Sequence, residues 1–126
     1  MRMLMLVCAG GAIGAGSRHL IHLWFLARGQ IGFPWSTFAI NVTGSALMGI
    51  AIGLIMARAN PSPELRAFFA TGILGGYTTF SAFSLDAWQL IERHQMLAAC
   101  GYILGSVVLS IMALIAGLAA TKLVLS

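Results

Sequence analysis

The stretch Gly75-Gly76-Tyr77-Thr78-Thr79-Phe80-Ser81-Ala82-Phe83-Ser84 constrains this chain more than any other. It sits in the middle of a long apolar segment, where composition alone would give an unbroken helix. Paired glycines disfavour helix, and neighbouring hydroxyls offer the backbone alternative partners. Non-helical backbone at membrane depth persists only where protein buries it or an aqueous cavity solvates it. The segment therefore predicts a functional break inside a membrane span.

Around that break the chain is apolar almost throughout. Apolar residues make up 60% of the 126 positions and charged residues 8%, against about 25% charged in soluble domains. Length and composition leave room for one helical bundle, a single domain over residues 1–126. The basic residues Arg2, Arg18, Arg28, Arg58, Arg66, Arg93 and Lys122 are scattered and fall mostly at segment ends. Nucleic-acid binding needs a concentrated basic face, so no nucleic-acid partner is expected. The lipid bilayer is the expected surrounding, with the cations anchoring at headgroups. Cys8 and Cys100 lie in apolar runs without CxxC spacing and read as plain buried residues. The first apolar run exceeds the length of a signal h-region and reads as a retained span.

Four spans follow: about 3–26, 34–56, 63–91 and 96–124. Each has the ~20 residues a helix needs to cross the hydrocarbon core. Pro34 suits a helix start, and Ser62-Pro63-Glu64 is a cap, a first-turn proline and an acid. The third span carries the break. Gly10/Gly14, Gly49/Gly53, Gly72/Gly76 and Gly101/Gly105 are small-xxx-small pairs, which permit close helix approach in lipid.

Charge does not choose an orientation. One side of the membrane holds Arg2, Arg58, Arg66 and Lys122, and the other holds Arg28 and Arg93, with Arg18 if it snorkels that way. The positive-inside rule needs a clear asymmetry. A near-balanced chain can insert both ways up, which permits an antiparallel homodimer.

Several polar groups stand at helical spacing inside the spans. Thr37, Asn41 and Ser45 lie at i, i+4 and i+8 on one face. A primary amide in hydrocarbon needs partners, so Asn41 either makes an interhelical hydrogen bond or lines a pore. Tyr102, Ser106 and Ser110 repeat the spacing in the fourth span. Ser106 reads as bonding its own i−4 carbonyl, and Ser110 reads equally as that or as a pore hydroxyl. Arg18 must snorkel, bind carbonyls or line a wet vestibule. Beyond the break, Phe80 and Phe83 share a helical face, as do Ser81 and Ser84. Rings in a membrane helix either face lipid and core, or present their electropositive edges to an anion.

Three motifs then resemble one family. Gly10-Gly11-Ala12-Ile13-Gly14-Ala15-Gly16-Ser17-Arg18, Asn41-Val42-Thr43-Gly44 and Gly72-Ile73-Leu74 followed by the break are similar, in order and spacing, to the Fluc (CrcB-type) fluoride channels. The resemblance implies an all-α integral membrane protein of four transmembrane helices, the third broken mid-membrane, forming a dual-topology antiparallel homodimer. It implies passive fluoride export across the bacterial inner (cytoplasmic) membrane through two pores at the dimer interface. It assigns Phe80 and Phe83 to pore walls, Asn41 as the pore asparagine, Thr37, Ser81, Ser84 and Ser110 as pore hydroxyls, and Arg18 to the vestibule. It also implies one structural Na⁺ held by the backbone carbonyls of Gly75 and Thr78 from both subunits. The chain departs from the family at Ala82, where Thr is frequent, at His19, where Tyr is common, and at Asp86, where Glu is usual.

Other classes fit less well. A small multidrug-type proton-coupled exporter needs a membrane carboxylate, and span 1 has no Asp or Glu. A non-transporting assembly protein leaves the break and the Asn41 face without purpose. An enzyme would need convergent titratable groups, and these sit at segment ends.

Overall fold

A computed structural model describes residues 1–125; Ser126, the last residue of the expected single domain, lies outside them. The described residues are helical, with no strand among them. Three helices are long and apolar enough to cross a membrane: α1 (Arg2–Ala27), α2 (Trp35–Met56) and α6 (Met96–Leu125). The third expected span is not one helix. It runs as α3 (Pro63–Arg66), a π-helical stretch Ala67–Leu74, α4 (Gly75–Tyr77), an extended break at Thr78 and Thr79, and α5 (Phe80–Glu92).

Local chemistry sets most of the ends. Gly29, at φ +67°, terminates α1 by a Schellman turn: its N–H bonds the Leu26 carbonyl at 3.0 Å, and Gln30 N–H reaches Phe25 at 3.3 Å. α5 ends the same way at His94, a non-glycine residue held at φ +57°. There, His94 N–H bonds Ile91 O and Gln95 N–H bonds Leu90 O, both at 2.9 Å. Ser62 caps α3 by accepting from Leu65 N–H, with Pro63 in the first turn, as its sequence predicts. Pro34 sits one residue earlier than a first-turn proline, as the N-cap of α2.

Packing is backbone against backbone. A methyl at Gly10 would stand 2.6 Å from the Phe68 carbonyl, and one at Gly14 would run into the Ile73 carbonyl. One at Gly76 would stand 2.7 Å from the Gly11 carbonyl. So α1 seats directly on residues 67–77. On the other side α2 packs along α6, where Gly49 faces the Leu114 carbonyl and Gly117 faces the Ala46 carbonyl. Gly101 has nothing near it, so the Gly101/Gly105 pair makes no comparable contact within the chain. A small core of Phe83, Ala87, Leu90, Ala99 and the fully buried Tyr102 joins α5 to α6.

Two side-chain expectations are corrected. Cys8 and Cys100 are exposed, not buried, because the small residues of α1 and α6 contact other helices through different faces. Ser106 does not bond its i−4 carbonyl: that carbonyl belongs to the residue whose ring fills the core, and the Ser106 hydroxyl is turned elsewhere without a protein partner.

Candidate functional site

At the break, the helix ladder stops and a side chain from α2 takes over. Thr78 adopts φ −75°, ψ 158° and Thr79 φ −152°, ψ 120°. In a continuing helix the Thr79 N–H would close on the Gly75 carbonyl. Here it donates to Asn41 Oδ1 at 2.9 Å, while Asn41 Nδ2 donates to the Thr79 carbonyl at 3.0 Å. Asn41 thus satisfies both backbone groups of one break residue. Arg18 Nη1 donates to the next carbonyl back, that of Thr78, at 3.3 Å. Of its three sequence options, Arg18 binds a carbonyl. The break then restarts cleanly: Thr79 Oγ1 accepts from Ala82 N–H at 3.2 Å and caps α5.

Beside the break lies a cleft of about 370 Å³. Asn41, Thr78, Phe80, Phe83, Ser106 and Ser110 are among its walls. Ser106 and Ser110 are the notable pair, because their Oγ atoms are buried and have no hydrogen-bond partner in the protein. An unpaired buried hydroxyl costs roughly 1–3 kcal/mol. Two of them, one helical turn apart on residues that line one cleft, mark a place where something else supplies the partner.

Rings lead away from this cleft. Phe80 and Phe83 stand 5.4 Å apart between centroids, Phe83 and Tyr102 5.3 Å, and Tyr102 and Phe33 5.6 Å. Phe83 is 9% exposed and Phe80 is 77% exposed, so the pair runs from core to open surface. The Tyr102 hydroxyl donates to Asp86 Oδ2 at 3.2 Å. Asp86 in turn lines a smaller cavity of about 160 Å³ at the end of the bundle where α1 and α5 terminate. Thr37 lines that end cavity too. A series of tilted and edge-on aromatic rings, Phe80, Phe83, Tyr102 and Phe33, therefore runs from the cleft to the end cavity.

The predicted residues divide accordingly. Asn41, Thr78, Phe80, Phe83 and Ser110 meet at the cleft, and Thr37 lies at the end cavity. Ser81 and Ser84 are exposed outside both pockets; Ser84 Oγ donates to the Phe80 carbonyl at 2.9 Å, and Ser81 Oγ lies 3.3 Å from Thr79 Oγ1. Ser106 lines the cleft without having been assigned to it, and Tyr102 lies behind it in the core against Phe83. Their signal was the i, i+4, i+8 series ending at Ser110, which places all three on one face of α6.

The carbonyl pair Gly75 and Thr78 suits a hard cation. Thr79 N–H is committed to Asn41, which leaves the Gly75 carbonyl without its helical donor. Gly75 is exposed, with only Ala70 O at 3.5 Å from its Cβ position. The Thr78 carbonyl keeps a second lone pair beyond the one facing Arg18. Oxygen-only donors fit Na⁺ chemistry, and among the described residues no cluster of His, Cys, Asp or Glu offers a site to a transition metal.

Together these features define an all-helical membrane protein with a largely apolar cleft, edged by Asn41 and threonine and serine residues, set against a broken helix. The chain belongs to the CrcB family, whose description "CrcB-like protein, Camphor Resistance (CrcB)" matches residues 5–118. It is 52% identical over 119 residues to the fluoride-specific ion channel FluC of Rhizobium meliloti, covering 94% of this chain and 95% of that one. It is 53% identical over 115 residues to the fluoride-specific ion channel FluC of Mesorhizobium japonicum, covering 91% and 92%. The Agrobacterium fabrum fluoride-specific ion channel FluC is 48% identical over 116 residues, covering 92% and 93%. These relatives are ion channels and not enzymes.

Proposed function

We propose that this chain is a passive, fluoride-selective channel that lets fluoride leave the cytoplasm down its gradient. The observation that carries the reading is the pair of buried, partnerless hydroxyls of Ser106 and Ser110, on residues that line a cleft together with Phe80 and Phe83. A small anion arriving there finds two O–H donors and, from the rings, electropositive C–H edges. No cation competes for it in the cleft lining, so binding stays weak. Several weak sites in series favour fast conduction.

The route runs between the two pockets. Thr37 offers a hydroxyl at the end cavity, and Tyr102 and Phe83 lie between that cavity and the Phe80 ring. Ser106 and Ser110 take over in the cleft. Asn41 holds the break in shape through Thr79, and its second Nδ2 hydrogen remains for the anion. Phe80 stands open at 77% exposure. A second copy inserted upside down would cover it and complete the wall, with Ser81 and Ser84 contributing from the same outer face. In this reading the broken third segment crosses the membrane as a fourth span of the multi-pass chain in the bacterial inner membrane. A bound Na⁺ would supply positive charge that ties the Gly75 and Thr78 carbonyls of two copies together.

The exporter alternative gains no support from the site. Its working carboxylate would be Asp86, which stands near the bundle end and accepts from the Tyr102 hydroxyl.

The test is fluoride-electrode efflux from reconstituted vesicles containing Na⁺, with chloride as control. Rapid fluoride release without chloride release supports the reading. Release no faster than from protein-free vesicles overturns it.

A further inference from the structure

The end cavity holds a feature that conduction through the cleft does not use. His22 of α1 lies 2.9 Å through Nδ1 from Ser36 Oγ of α2, and both line the cavity with Thr37, Asp86, Gln89 and Arg93. His22 is exposed to solvent, while Ser36 is 7% exposed. We propose that the His22–Ser36 pair is a proton-controlled hydrogen-bond donor at the channel mouth, which raises fluoride uptake into the pore as pH falls. The proposal rests on the fluoride-channel reading above.

For a neutral ring that carries its hydrogen on Nε2, the two protonation states use the same short contact in opposite senses. When the imidazole is neutral with its hydrogen on Nε2, Nδ1 can only accept. The Ser36 hydroxyl then donates to it, and its hydrogen is engaged. When Nδ1 takes a proton from water, the ring becomes a donor and Ser36 Oγ becomes the acceptor. The serine hydrogen is released and can turn into the cavity, one residue from the Thr37 hydroxyl. The cavity gains a free O–H donor and an imidazolium charge in one step. Both favour a small anion.

The neighbouring charges set the sign. From α5 come Asp86, whose Oδ2 accepts from Tyr102 of α6, and Arg93. From α2 come only the hydroxyls of Ser36 and Thr37, and the connection after α1 contributes Gln30 without a charge. With His22 neutral, the charged side chains in the cavity lining are the Asp86 carboxylate and the Arg93 guanidinium. Protonated His22 makes the mouth net positive.

The experiment measures fluoride efflux at sub-saturating fluoride, with equal pH on both sides, from about pH 8 down to about pH 5.5. Protein-free vesicles at each pH subtract leak of the protonated acid. The unmodified chain should speed up at least about threefold toward the acid end. His22→Gln should run flat, and His22→Arg should run flat at a higher level. Ser36→Ala should keep less than half of the rise, because charge alone remains. His19→Gln, His94→Gln and Asp86→Asn should each keep the rise. A flat profile in the unmodified chain, an undiminished rise in His22→Gln, or loss of the rise only in Asp86→Asn overturns the proposal. A full rise in Ser36→Ala overturns the hydroxyl's part in it. Absence of fluoride efflux at every pH would instead remove the channel reading itself.

Discussion

The Asn41 carboxamide holds both backbone groups of Thr79, donating to its carbonyl at 3.0 Å and accepting from its N–H at 2.9 Å. One side chain thereby does what a turn of helix would have done. It is also the reason the Gly75 carbonyl is left open. Asn41→Ala should strand two backbone groups at about 1–3 kcal/mol each and abolish efflux. Asn41→Asp keeps the acceptor alone and should fall between. Thermal or detergent denaturation, run beside the efflux assay, reads both.

Ser106 gives the opposite dissociation of folding from conduction. Its hydroxyl has no protein partner, so Ser106→Ala removes no bond and should leave stability unchanged or slightly raised. Efflux should nevertheless slow severely. Equal efflux with equal stability would take Ser106 out of the path.

Phe80 and Phe83 test the ring edges. Phe80→Ile and Phe83→Ile keep apolar bulk but lose the quadrupole. Both should slow fluoride efflux strongly while the protein still elutes from size exclusion at the position of the unmodified chain. Unchanged flux in both variants would remove the rings from the mechanism.

Sodium is tested by exchange. Replacing Na⁺ by a bulky organic cation through purification and reconstitution should abolish efflux, and returning Na⁺ should restore it. Full activity without Na⁺ would argue against the Gly75 and Thr78 carbonyls as a cation site.

His94 tests the turn after α5. It is a non-glycine residue at φ +57°, and the left-handed region costs an L-residue about 1–2 kcal/mol. His94→Gly should raise the denaturation midpoint with little effect on efflux. By contrast, Gly14→Ala should lower it, since the added methyl meets the Ile73 carbonyl and overpacking costs about 1–3 kcal/mol.

Much of this was legible in the residues themselves. The hydroxyl run after Gly75-Gly76 marked the break, because hydroxyl chemistry acts locally on the backbone; the glycines themselves stay helical in α4, and that segment leaves the helix only at Thr78 and Thr79. Ser62-Pro63 marked a helix start, and the spacing of Phe80 and Phe83 placed them on one face for the same reason. Gly10/Gly14 and Gly72/Gly76 announced close packing, though not that they face each other.

The rest required three dimensions. Asn41 and Thr79 are 38 residues apart, and only the packing of α2 beside the break decides that the amide serves backbone. Ser106 was misread because an i−4 carbonyl is always within a hydroxyl's reach in sequence, whereas the cleft that Ser106 lines exists only once α2, α5 and α6 meet. The π winding of Ala67–Leu74 and the pairing of His22 with Ser36 likewise had no local signal. Local backbone preference is written in short stretches of sequence. Which polar atoms remain unpaired is a property of helices brought together.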